Sequence, residues 1–225
     1  MAEIKLVVFD MAGTTVDENN VVYKTLQTAI TEKVHDVSLE KVLELGAGKE
    51  KKQAIIDILR EIAPETPVAL IDETYHHFIK LLDTAYSKLD VKPQNYTIEI
   101  LRWLRDRNIR TALNTGYSRP VAENLIVKLG WIEGVDFDLL VTASDVSKAR
   151  PEPDMIFLAK QKLGIEADNQ IVKVGDSIID IEEGKNANCG LTIGITSGAH
   201  SLEQLLTAKP DFVIDGLEVL KEILK

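Results

Sequence analysis

Apolar residues gather along this chain in short unbroken runs. Lys5–Phe9 (KLVVF), Ile109–Asn114 (IRTALN), Phe137–Thr142 (FDLLVT), Ile171–Gly175 (IVKVG), Leu191–Ile195 (LTIGI) and Asp211–Ile214 (DFVI) are rich in Val, Ile and Leu. Runs without polar alternation predict strands covered on both faces, as in a parallel sheet. Between them, apolar positions return at helical spacing over Thr97–Arg107, Pro120–Leu129, Pro153–Leu163 and Ile178–Ala187. Strand alternating with helix predicts an α/β fold, a Rossmann-like parallel sheet with helices on both faces.

Residues 18–91 follow a different pattern. They hold no strand-like run and read as amphipathic helices over Tyr23–Val34, Leu39–Leu45, Lys51–Ile62 and Val68–Leu89, punctuated by APETP at Ala63–Pro67. The pattern predicts two units. Residues 1–17 and 92–225 form the α/β core, and residues 18–91 form a helical cap inserted after the first strand. Hinges are expected at Val16–Glu18 and Lys88–Pro93, so that the cap can close over a site.

In an open α/β sheet, ligands sit at the carboxyl ends of the strands. Asp10 ends the first predicted strand, Thr115 and Gly116 follow the second, Asp145–Arg150 follow the third, and Gly175 and Asp176 end the fourth. Any one of these is ordinary turn or capping chemistry. Four of them at successive strand ends point to one polar crevice beneath the cap.

Composition narrows the class. Apolar residues make up 45% of the 225, enough for a sizeable core. The net charge of −10 argues against nucleic-acid partners and an anionic membrane surface. No stretch reaches the about 18 apolar residues of a membrane span. The lone cysteine, Cys189, allows no disulfide within the chain and fits a cytoplasmic location. An acidic protein that handles an anion must gather cations locally, often with a metal.

With DMAGT (Asp10–Thr14), NTG (Asn114–Gly116), ARPEPD (Ala149–Asp154) and GDSIID (Gly175–Asp180), the chain resembles the haloacid dehalogenase superfamily over its whole length. The resemblance implies a hydrolase in which Asp10 attacks phosphorus and becomes an aspartyl-phosphate. It implies Mg²⁺ held by Asp10, the Ala12 carbonyl and Asp176, with Asp180 nearby as ligand or support. Gly13, Thr14, Thr115 and Gly116 would hold phosphoryl oxygens, with the backbone amides of Gly13 and Gly116 among the donors. Arg150, favoured over Lys148 because it adjoins the proline, would offset charge.

Phosphatases of this family carry an acid two residues after the nucleophile, for general acid–base work. Here that residue is Ala12. The run DMAGTTVD, with TGYSR, VTASDV and KVGDSIIDIEEGKNA, is similar to the phosphonoacetaldehyde hydrolase branch, which also has alanine there. That branch cleaves a carbon–phosphorus bond with a cap lysine that forms a Schiff base with the substrate aldehyde. Its cap motif M-G-x-x-K resembles LGAGK (Leu45–Lys49), which makes Lys49 the candidate lysine. Lys52, three residues on, would face the same side of a helix and help to lower the Lys49 pKa. Lys52 also stands where the branch has a histidine. His76 and His77 are adjacent on a predicted helix and point apart, so they make no metal pair. Tyr117, which follows the Thr115–Gly116 pair, is a substrate-binding candidate, with packing beneath the site as the alternative.

The leading expectation is a Mg²⁺-dependent hydrolase of a small phosphonate. The alternatives are a phosphatase of small phosphorylated metabolites and a non-catalytic binding protein. The resemblance also implies a homodimer through the cap.

Overall fold

The computed structural model describes residues 3–225. Strand β1 (Leu6–Asp10) is buried throughout and lies at the centre of a six-stranded parallel sheet. On one side it pairs with β4 (Arg110–Thr115), which pairs with β5 (Leu139–Thr142). On the other it pairs with β6 (Ile171–Gly175), followed by β7 (Leu191–Ile195) and β8 (Phe212–Ile214). The order β5-β4-β1-β6-β7-β8 therefore switches direction at β1. Such a switch point opens a crevice outside the carboxyl ends of the central strands, where Asp10 stands.

The strands bury both faces. Leu6 and Val8 join Ala112, Val141 and Ile171 under α7 (Asp154–Leu163). Val7 and Phe9 join Leu113, Val172 and Val174 on the other face. The remaining core helices are α5 (Thr97–Arg105), α6 (Arg119–Leu129), α8 (Ile178–Asn186), α9 (Leu202–Thr207) and α10 (Leu220–Ile223).

Four helices fill the span after the first strand: α1 (Val21–Lys33), α2 (Leu39–Gly46), α3 (Lys51–Ile62) and α4 (Val68–Lys88). Helix α4 buries Thr74, Phe78, Leu82 and Tyr86, one residue every fourth position. Helix α1 buries Val22, Leu26, Ala29 and Ile30 against it. Each large side chain withdrawn from water this way contributes about 1.5–3 kcal/mol. The chain enters and leaves this layer side by side. Strand β2 (Val16–Asp17) pairs antiparallel with β3 (Lys92–Pro93), Val16 opposite Pro93 and Asp17 opposite Lys92. Two residues each are too few to show a sequence period, so these strands are new with the structure. None of the helices in the described residues is long and apolar enough to cross a membrane.

Candidate active site

One arginine and one lysine, Arg150 and Lys173, organise the crevice. Arg150 is almost fully buried and reaches Asp10 Oδ1 at 2.7 Å, Asp180 Oδ1 at 3.0 Å and Glu183 Oε2 at 3.0 Å. It also donates to the Asn114 carbonyl at 2.7 Å. Lys173 lies in β6, fully buried, 3.0 Å from both Asp180 Oδ1 and Glu183 Oε2 and 2.9 Å from Asn114 Oδ1. Asn114 returns an N–H to Glu183 Oε1 at 2.9 Å. A buried charge is tolerable only when it is paired and hydrogen-bonded, and here each is.

Asp10, Asp176 and Asp180 each turn a carboxylate oxygen into one cluster, within 4.8 Å of one another. Burial and the Asp180 charge push the Asp10 carboxyl up to about 6, against the pull of Arg150 and Lys173. Burial, Asp10 and Asp180 push Asp176 well above the usual carboxylate range. Burial alone would raise Asp180 too, but Arg150 and Lys173 outweigh it and hold that carboxyl low. Among the described residues, Arg150 and Lys173 pair with Asp10, Asp180 and Glu183, and Asp176 has no cation within ion-pair distance. A divalent cation would offset the negative charge gathered there. The oxygen-only donor set and partial carboxylate count suit Mg²⁺. Asp180 is the donor least free for it, since Oδ1 meets both cations and Oδ2 accepts from Ser177 Oγ at 2.5 Å.

The loop after β1 is built tightly around this cluster. Gly13 has φ 84°, and a Cβ there would collide with the Asp176 carboxylate and come within 2.9 Å of Gly198 Cα, so only glycine fits. Its N–H, expected from the sequence to face a phosphoryl oxygen, is donated instead to the Val16 carbonyl at 2.9 Å to close the turn. Thr14 Oγ1 is buried with no protein partner, as a hydroxyl awaiting a ligand oxygen would be. Thr115 Oγ1 accepts the Tyr117 N–H at 3.2 Å.

The helical layer closes this crevice through residues 46–50. A Cβ on Gly116 would sit 2.8 Å from the carbonyls of Gly48 and Lys49. Gly48 has φ 73°, and a Cβ there would overlap Ser177 and Ile179. Its carbonyl lies 3.4 Å from Arg150 Nη1, the same atom that holds Asp10, so this loop lies directly over the carboxylates. Gly48→Ala should leave the fold standing and lower kcat/KM about 10²-fold by holding the loop off the core. Steady-state kinetics beside a melting curve checks this; wild-type kcat/KM would contradict the close approach.

The three lysines around the start of α3 place their amines differently. Lys49 Nζ turns away to Asp57 Oδ2 at 2.6 Å, and Lys52 Nζ pairs with Asp72 on the surface at 2.7 Å. Lys51 is the residue that is buried. Its ammonium lies 5.2 Å from the Tyr23 ring centre and 5.5 Å from that of Tyr117, and donates to the Lys49 carbonyl at 2.5 Å. Burial, aided by the Arg150 charge, brings its pKa down to about 8 although Asp10 opposes the shift. The physical reason is the start of α3. Glu50 caps it, accepting the N–H groups of Lys52 and Gln53. Lys51 then shares the inward face with Ala54, Ile55 and Ile58.

The G-x-x-K spacing occurs twice here, Gly46 to Lys49 and Gly48 to Lys51, and the second carries the buried lysine. Three residues beyond Lys51 stands Ala54, so neither register supplies a histidine. Lys173, Glu183, Lys51 and Glu18 were absent from the sequence-predicted site. A lone charge inside IVKVG flags Lys173, and the spacing 176, 180, 183 flags Glu183. Glu18 follows a short strand and carries no such signal.

Comparison with known proteins places this geometry. A model of haloacid dehalogenase-like hydrolases matches residues 7–193. A phosphonoacetaldehyde hydrolase of Bacillus cereus (strain B4264) is 30% identical over 232 residues, covering 98% of this chain and 86% of the relative. Among solved structures, a phosphonoacetaldehyde hydrolase-like protein from Oleispira antarctica superposes with a TM-score of 0.84 at 20% identity, covering 99% of this chain and 92% of that one. A hydrolase from Pseudomonas syringae superposes at 0.85 with 18% identity, covering 97% of each.

Proposed function

Because the chain belongs to the haloacid dehalogenase-like hydrolases, we infer that it cleaves the carbon–phosphorus bond of a small phosphonate aldehyde, with Asp10 as phosphoryl acceptor and Lys51 as carbonyl-binding amine. The observation that supports this reading is a buried lysine, enclosed by Tyr23 and Tyr117, beside a nucleophile whose usual acid partner is replaced by Ala12.

The chemistry follows from those groups. Lys51, with its pKa near 8, has an accessible free-amine form at neutral pH. That amine adds to the aldehyde carbon and, with loss of water, gives an iminium. The phosphonate phosphorus faces Asp10, oriented by Arg150 at 2.7 Å. As the Asp10 oxygen bonds to phosphorus, the carbon–phosphorus pair flows into the iminium and leaves an enamine. The leaving carbon therefore needs no proton at the moment of cleavage, which makes an alanine at position 12 sufficient. Water then hydrolyses the acyl phosphate on Asp10 and releases a proton. The enamine carbon takes up one proton from solvent to become the product iminium, and addition of a second water frees acetaldehyde and the Lys51 amine. Mg²⁺ would be held by Asp10, the Ala12 carbonyl and Asp176, and when bound it offsets the negative charge that gathers there.

Incubation with phosphonoacetaldehyde and Mg²⁺ should release acetaldehyde and phosphate in equal amounts. Phosphate release from glycolate or sugar phosphates, without acetaldehyde from the phosphonate, would favour the phosphatase reading instead. Chelation should lower the rate at least about 10²-fold, and added Mg²⁺ should restore it. A rate indifferent to chelator would contradict the metal assignment.

A further inference from the structure

Glu18 is a buried acid that the steps above do not use. It stands just past β2, where the chain enters the helical layer, and is 2% exposed. Among the described residues the other buried carboxyls are Asp10, Asp176, Asp180 and Glu183, all in the core cluster. Glu18 lies apart from them, and no cation of the described residues stands within ion-pair distance of it. A carboxyl buried without an ion pair is costly and calls for a reason.

Its partners supply one. Glu18 Oε2 accepts the Val22 N–H at 3.0 Å and the Tyr86 hydroxyl at 3.3 Å. The Tyr86 oxygen lies 3.1 Å from the Tyr117 hydroxyl, and the Tyr117 ring forms one wall around the Lys51 ammonium. When Glu18 is protonated its bond to Tyr86 reverses, so the carboxyl donates to Tyr86 and the Tyr86 hydroxyl donates to Tyr117. The three groups then form one directed chain from the carboxyl to the Lys51 pocket. The charged and titratable groups facing Glu18 are Lys51 from α3, Tyr23 from α1, Tyr86 from α4 and Tyr117 from the core. Glu50 is occupied in capping α3. Burial pushes Glu18 up to about 7, against the Val22 N–H, Tyr86 and Lys51.

We propose that Glu18, acting through Tyr86 and Tyr117, is the proton reservoir for the carbonyl chemistry of Lys51, supplying transfers that Ala12 cannot make. The proposal rests on the reading that Lys51 engages a carbonyl. When the adduct of Lys51 and aldehyde loses water, its carbon–oxygen bond breaks and the electron pair leaves with oxygen. That oxygen takes the Tyr117 proton, Tyr117 is refilled from Tyr86, and Tyr86 from Glu18, which becomes a carboxylate. When water later adds to the product iminium, its proton returns along the same chain. One proton leaves Glu18 and one comes back. Glu18 is thus a positioning and proton-holding residue, while Lys51 touches the substrate.

The active form needs a free amine on Lys51 and a proton on Glu18. On the acid side Lys51 is locked as ammonium, and on the alkaline side Glu18 loses its proton, so kcat should fall on both sides. Glu18→Gln should lower kcat about 10²-fold and flatten the alkaline fall, since no donor remains to be lost. Tyr86→Phe keeps the ring and the Glu18 carboxyl but cuts the chain. It should show the same flattening with little change in melting temperature, which separates the relay from a folding effect. Both variants keeping the alkaline fall, with kcat within about threefold of wild type, would overturn the relay. Borohydride trapping of wild type is run alongside. An adduct on Lys51 with unchanged profiles sinks the relay alone, and no adduct sinks the Lys51 reading together with it.

Discussion

Asp10→Asn is expected to abolish phosphate release, by at least about 10³-fold in kcat, while leaving the fold intact. The amide keeps the shape of the carboxyl and can still accept from Arg150, which now reaches Asp10 Oδ1 at 2.7 Å. It cannot attack phosphorus. Removing one negative charge also eases the repulsion from Asp180 that, with burial, raises Asp10, and the repulsion from Asp10 that helps to raise Asp176. The variant should therefore be no less stable than wild type, so a loss of activity cannot be blamed on unfolding. A thermal melt and a single-turnover assay for phosphate settle the point. Turnover at the native rate would remove Asp10 from the chemistry.

The second large effect is expected at the cap lysine, as a contrast between neighbours. Lys51→Arg should lower phosphonate cleavage by about 10³-fold or more, because a guanidinium stays protonated and forms no iminium. Its charge and much of its bulk remain between Tyr23 and Tyr117, so binding of the anion should suffer less than kcat. Lys49→Arg should stay within about threefold of wild type, since Lys49 makes a partly exposed pair with Asp57 and such pairs contribute little. Steady-state kinetics of the two variants decides between them. Equal losses in both, or a loss confined to Lys49, would return the role to the first register of the cap motif.

The parallel sheet was legible because β1, β6 and β7 are buried end to end, and a strand buried on both faces leaves an unbroken apolar run. The helices of the cap layer were legible from their spacing to within one or two residues at each end. The six-residue α9 and the two-residue strands β2 and β3 were not, being shorter than any period needs to declare itself.

In the site, residues at strand tips were readable, since the switch in strand order dictates where a crevice opens. What escaped were groups whose meaning depends on long-range packing. Lys173 and Glu183 matter because β6 and α8 bring them against Arg150 and Asn114. Lys51 was readable in principle, since 51, 54, 55 and 58 mark one helix face, but the start of α3 had to be known first. Glu18 gains its interest only through Tyr86, 68 residues away, and Tyr117 beyond it.

The measurement that meets the central claim most directly is the mapping of a borohydride-reduced adduct. The protein is incubated with phosphonoacetaldehyde, reduced, digested and read by peptide mass. The expected result is a two-carbon increment on the peptide bearing Lys51, lost in Lys51→Arg and kept in Lys49→Arg. An increment on Lys49, or none while acetaldehyde is still released, would contradict the assignment of this buried amine to the carbonyl.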